Sequence, residues 1–320
     1  MSYQPPAKIR VRWGRVALFY GLAFGWVCLV SAALFLAGSR NLSGAAGPSA
    51  LTTLLAVLYM PAPLVAALIV ERLDRRPALL RTAFTGLWRK LPRVVAAVAA
   101  IVAVLLLGMV GLNWLVGNLI GVDAAGTVLV SQQDLVAGAL TLVPAQNADQ
   151  VAALSAAMPS LWGLLAVAFV GAMVAGFTIN GVLAFGEEYG WRGWLADELR
   201  PVGAFWANVI TGVLWGLWHA PLIVMGFNYG DYGRLGPFFM VAWCVPMSFL
   251  LWRLREVTDS LVAPAALHGA FNGFASVFLL VLAGANPLIA APVGLIGTVT
   301  LTLVAAAFWG ITRSRSPRAA

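Results

Sequence analysis

Two carboxylates stand side by side at Glu187 and Glu188, in the stretch AFGEEYGWRGW, directly after a long apolar run. Charges near lipid are costly, so such a pair is a functional candidate by default. Arg192 follows Glu188 by four residues. On a helix that spacing puts both on one face, with the glutamate N-terminal to the arginine, the favourable order. Glu188 is therefore expected to be neutralised locally. Glu187 is turned about 100° away around the helix and must face something else. The chain's two histidines, His219 in LWGLWHAPLI and His268 in APAALHGAFNG, offer it company. Asn272 follows His268 by four, so imidazole and carboxamide leave one side of a helix and can bind the same small object. Trp215 stands one turn before His219. Pro221 stands two residues after it, where a proline kinks or ends a helix and frees backbone beside the histidine. The spacing thus predicts one carboxylate held in structure and the other free for chemistry, in a cavity shared with the histidines.

The elements that must position these residues are membrane spans. Of the 320 residues 61% are hydrophobic and 10% charged, and the mean hydropathy is +0.90. A soluble domain carries about 25% charged and about 45–50% apolar residues, so composition excludes that class and implies an all-α polytopic membrane protein. A spanning helix needs about 20 apolar residues. Windows of that size place eight spans, at 16–38, 50–70, 94–118, 161–186, 206–227, 236–252, 261–283 and 289–311. The first reads as an uncleaved anchor, being longer than the apolar core of a cleavable signal peptide. With these spans, all of the basic residues except Arg40 and Arg234 fall on one side. The positive-inside rule then puts both termini in the cytoplasm. The net charge of +8 is therefore topogenic, with no nucleic-acid face implied. Cys28 and Cys244 lie in apolar spans and read as packing residues. The arginine- and alanine-rich composition hints at a bacterial source, hence a bacterial cytoplasmic membrane. The connection 119–160 is read as external; its stretch DLVAGALTLV is either a short interfacial helix or a plain loop. One membrane domain, 1–320, is expected, with its motif-bearing core at about 161–283.

Depth tests whether the groups can meet. At 1.5 Å per residue, His268 lies about 10 Å inward from position 261, Asn272 about 16 Å, and His219 about 16 Å from Asn208. Glu187, at the cytoplasmic end of its span, meets them if a hydrated recess enters from the cytoplasm or if it sits deeper. Each residue also has a plain reading. A carboxylate pair at a helix end fits a solvated interface. His219, close after Trp215 and Trp218, fits an aromatic belt, and His268 fits an interhelical hydrogen bond. The coincidence of all of them on three helices favours a site.

Glu187-Glu188-Tyr189-Gly190-Trp191-Arg192 fits EExxxR, Trp215 to His219 fits aromatic-xxx-His, and His268 to Asn272 fits HxxxN. In that order the chain resembles the CPBP intramembrane proteases, the CAAX-protease and bacteriocin-processing family, which includes type II CAAX prenyl endopeptidases. The motifs cover about 180–275; the first three spans carry none. Trp215 departs from the phenylalanine usual there. The resemblance implies an intramembrane endopeptidase acting on a membrane-associated or lipidated protein or peptide. In it Glu187 is the base that activates water, and His219 helps hold that water. His268 and Asn272 stabilise the oxyanion, and Glu188 with Arg192 forms a supporting pair. Amide hydrolysis needs such a base and such donors.

No cofactor follows from these residues with certainty. The family is often labelled metalloprotease, and Glu187, His219 and His268 with an open position would also suit catalytic zinc. There is no HExxH helix, and a metal-free glutamate–histidine route fits as well. The expected site opens to the cytoplasm. The alternative function is a non-catalytic bacteriocin-immunity or membrane-partner-binding protein using the same pocket. A proton-coupled transporter is a third reading, against which stands the lack of an inverted repeat.

Overall fold

The computed structural model describes residues 10–39, 41–43, 50–142 and 148–313. Lys8, Arg40, Arg315 and Arg318, used above to assign sides, lie outside the described residues. Backbone polar groups in lipid must be satisfied within the chain, which favours helices for apolar runs. The structure is accordingly helical, with a single two-residue strand pair among the described residues. α1 is Trp13–Leu36, α2 Ala50–Tyr59, α3 Ala62–Leu73 and α4 the single turn Leu80–Ala83. α5, Leu87–Trp114, continues into a π-helical turn, Leu115–Leu119. The strand β1, Thr127–Val128, is followed by α6, Gln132–Leu142, and α7, Ala148–Ala157. α6 covers most of the stretch DLVAGALTLV, and Ser131 Oγ caps it by accepting from Asp134 N. α8 is Leu161–Gly176 and α9 Ile179–Glu188. A second π-helical turn, Tyr189–Leu195, leads to α10, Ala196–Leu199. Then come α11, Ala204–Trp218, α12, Ala220–Ile223, α13, Gly236–Thr258, α14, Val262–Phe274, and α15, Phe278–Val281. β2, Leu282–Ala283, and α16, Leu295–Arg313, complete the order.

Six helical stretches among the described residues are long and apolar enough to cross a membrane. The bent pair Asp149–Ala157 and Leu161–Phe177 makes a seventh if it counts as one span. The two expected spans at 161–186 and 206–227 are not single long helices. The first breaks at Thr178, whose hydroxyl donates to the Val174 carbonyl and whose backbone leaves helical geometry. The second stops at Trp218 and restarts for one turn after His219, with Pro221 early in the new turn. Both breaks lie beside candidate site residues.

Ion pairs join the loops of one face. Arg12 Nη2 lies 2.6 Å from Glu198 Oε2, and its Nη1 lies 2.5 Å from Asp74. These carboxylates push the Arg12 guanidinium further up from its already high pKa, the Glu198 hydrogen bond most strongly. Lys90 pairs with Asp259 and Arg255 with Asp197. This is the arginine-rich face. On the opposite face Leu42 N donates to the Met225 carbonyl, Asn286 N donates to the Ala124 carbonyl, and β1 pairs antiparallel with β2. Between the faces, α14 packs against α8, α9, α13 and α5, and α11 lies along α13. Gly269 permits one close approach: a Cβ there would fall 2.5 Å from Gly181 N and 2.7 Å from Asn180 C. Small residues at such crossings let membrane helices touch by their backbones.

Candidate active site

Glu187 and Glu188 end α9 and are 2% and 0% exposed. A π-helical turn follows at once, a local widening of the helix that recurs at functional sites. All seven of its residues, from Tyr189 to Leu195, are buried. The turn is anchored on the arginine-rich face: Tyr189 Oη donates to Glu71 Oε2 at 2.8 Å and accepts from Leu80 N at 3.0 Å. Arg192 Nη1 donates to Glu188 Oε1 at 3.0 Å. The same oxygen accepts from His268 Nδ1 at 2.9 Å. Arg192 stacks its guanidinium over the Trp215 ring, 4.1 Å from the centroid. That contact partly offsets the burial of its Nε and Nη2, which have no hydrogen-bond partner among the described residues. Trp215 also points its indole at the other carboxylate. Its Nε1 donates to Glu187 Oε2 at 2.7 Å. Glu187 and Glu188, adjacent in sequence, therefore have separate partners.

His219 caps the end of α11, and its Nδ1 donates back to the Trp215 carbonyl at 2.8 Å. Trp215 stands between the histidines, its ring centroid 5.7 Å from His219 and 5.4 Å from His268. Each histidine spends Nδ1 on an internal acceptor, so Nε2 is the nitrogen each can present to water or substrate. Glu187, His219, His268 and Asn272 all line one cavity of about 870 Å³. The structure thus brings the four predicted groups to a common space, with Glu188 and Arg192 behind it.

Two contacts were not foreseen. His268 was expected to act with Asn272 and near Glu187; its Nδ1 is in addition bound to Glu188. The Trp215 bond to Glu187 was missed, because the residue was read only as an aromatic; its departure from phenylalanine was the available signal. The cavity walls run from the four groups to Gly284, Ala285 and Pro287, beside the strand pair. The buried turn Tyr189–Leu195 lies toward the arginine-rich face. The cavity is bounded by Thr53, Ala56 and Tyr59 of α2 on one side and by residues of α8, α9, α14 and α15 on the other. Ile179 and Leu279, 72% and 44% exposed, stand at its edge.

As for zinc, among the described residues no three His, Cys, Asp or Glu side chains are grouped to hold a metal ion. Glu187, His219 and His268 share the cavity without forming a ligand cluster, so the arrangement does not fit a metal and no step below runs through one.

Residues 159–274, which carry Glu187, Glu188, Arg192, Trp215, His219, His268 and Asn272, match the family model described as type II CAAX prenyl endopeptidase Rce1-like. This segment is similar to that family. Over 95 residues the chain is 30% identical to CAAX prenyl protease 2 of Methanococcus maripaludis, covering 27% of this chain and 34% of that protein. The chain thus spans about a third of the length of the curated relative it matches. No solved structure matches it.

Proposed function

We propose that the chain is an intramembrane endopeptidase that hydrolyses a peptide bond of a membrane-associated or lipidated protein or peptide. The observation that carries this reading is the convergence of Glu187, His219, His268 and Asn272 on one cavity of about 870 Å³. Glu187 holds Oε2 toward the Trp215 indole, and its Oε1 takes a proton from water. His219, its Nδ1 committed to the Trp215 carbonyl, accepts the water's other hydrogen at Nε2 and aims it. The hydroxide attacks the scissile carbonyl carbon. His268, held at Nδ1 by Glu188, carries a second N–H on Nε2 as imidazolium and donates it to the oxyanion, with the Asn272 amide as the other donor. Collapse of the tetrahedral intermediate breaks the C–N bond, and Glu187 returns its proton to the leaving amine. In this state the cluster holds two carboxylates, Glu187 and Glu188, and two cations, Arg192 and His268, so its charges balance within the membrane.

The cavity's edge at Ile179 and Leu279 fits a substrate with an apolar anchor, because exposed aliphatic side chains there continue the lipid-facing surface. The test is cleavage of a lipid-anchored peptide by purified protein in vesicles. Glu187→Ala is expected to lower turnover by about 10²–10⁴-fold, the usual worth of a positioned base. Unchanged turnover in a folded Glu187→Ala protein refutes the assignment. The non-catalytic alternative predicts that partner binding persists in that variant with no cleavage in the parent.

A further inference from the structure

A second cavity, of about 530 Å³, lies on the arginine-rich face, between the α4–α5 turn, the segment after α10, the end of α13 and the start of α14. Four cations line it, Arg89, Lys90, Arg200 and Arg255, against two carboxylates, Glu256 and Asp259. Local pairing leaves positive charge over. Asp259 takes Lys90 at 2.9 Å. Asp197 serves two arginines, Arg255 at 3.1 Å and Arg200 at 3.2 Å. Glu256 turns to Arg253, which does not line the cavity, at 3.1 Å. Arg89 is exposed and has no ion pair among the described residues. Trp252 also lines the space, and its indole N–H is buried without an acceptor among the described residues. A surplus of cations and an unspent N–H call for an anion with several acceptor oxygens.

The rim indicates where that anion comes from. Leu80, Phe84 and Trp88, on α4 and the start of α5, are 40%, 51% and 84% exposed. Large apolar and aromatic side chains beside arginines mark the headgroup level of a bilayer. We propose that this cavity binds a phosphate group, and that its source is the headgroup of an anionic phospholipid whose chains lie along Leu80, Phe84 and Trp88. Arg89 and Arg200 receive the phosphate oxygens, and the Trp252 N–H reaches the same group. Basic pockets between membrane helices recognise anionic headgroups by this chemistry. The site is separate from Glu187 and its partners and does not depend on the proposed proteolysis.

The experiment counts lipids retained by the full chain in native mass spectrometry from nanodiscs holding phosphatidylglycerol and phosphatidylcholine. Preferential retention of phosphatidylglycerol is expected, falling about tenfold in the double variant Arg89→Gln/Arg200→Gln. Arg234→Gln, on the opposite face, is expected to retain it fully. Trp252→Phe serves as a second variant that keeps every charge and is expected to lower retention severalfold. A parallel titration of the detergent-purified chain with glycerol 3-phosphate separates the sources. Binding there that the double variant abolishes, without preferential lipid retention, assigns the site to a soluble phosphate and overturns the lipid source. Equal retention of both lipids, or equal loss in Arg234→Gln and the double variant, overturns the site itself.

Discussion

Trp215→Phe isolates a single bond in the candidate site. The substitution keeps an aromatic ring under Arg192 and removes the N–H that reaches Glu187 Oε2 at 2.7 Å. A hydrogen bond to a charged acceptor contributes about 1.5–3 kcal/mol. If that bond holds Glu187 in the orientation that takes a proton from water, losing it lowers turnover by about 10- to 150-fold. Trp215 does not line the cavity, so the Michaelis constant is expected to stay within about twofold of the parent, as for an interaction that acts on chemistry and not on binding. Initial rates on a lipid-anchored peptide in vesicles, fitted for kcat and KM separately, give the answer. Trp218→Phe is the comparison. Trp218 is equally buried and does line the cavity, but its N–H goes to the Ala23 carbonyl at 3.3 Å. It is expected to change KM or thermal stability and to leave kcat near the parent value. A Trp215→Phe protein with the parent's melting temperature and kcat, or a loss confined to KM, refutes the positioning of Glu187 by the indole.

Glu188→Gln leaves Arg192 and His268 without their shared, fully buried carboxylate. Breaking one side of a buried pair costs about 3–5 kcal/mol, so thermal melting is expected to drop sharply; a melting temperature equal to the parent's would show that the pair is not structural. Gly269→Ala forces a methyl group into backbone atoms of α9 at 2.5–2.8 Å. Overpacking of this kind costs about 1–3 kcal/mol and here displaces His268 as well, so both stability and turnover fall, whereas Gly25→Ala on α1, with open space around it, is expected to be silent. Prolonged treatment with a strong chelator is expected to leave turnover unchanged, because the described residues offer no three-ligand cluster; loss of turnover restored by added zinc would refute this.

What could be read from the sequence was mostly local or statistical. Apolar windows and loop charge gave the all-helical membrane architecture, since the bilayer admits few alternatives. The Glu188–Arg192 contact followed from helical spacing alone. Interactions between distant segments were not legible: His268 meets Glu188 across 80 positions, and Trp215 meets Glu187 across 28. Hydropathy also could not show that α8–α9 and α11–α12 break beside the site. An apolar window reports composition, whereas the breaks at Thr178 and His219 arise from backbone bonding at single residues. The burial of the whole turn Tyr189–Leu195 was not legible either, because it depends on contacts with α3 and α4 that lie far away in the sequence.

The pairing of Glu188 with both Arg192 and His268 has a consequence for biosynthesis. Arg192 leaves the ribosome four residues after Glu188, while His268 follows only after 80. At about 5–20 residues per second, the glutamate pair waits roughly four to sixteen seconds for its imidazole. Throughout that interval the nascent hairpin enters the bilayer with Arg192 as its near counter-charge. The arginine thus works twice, first as an escort that makes insertion tolerable and later as the fixed partner of Glu188 behind the finished chamber.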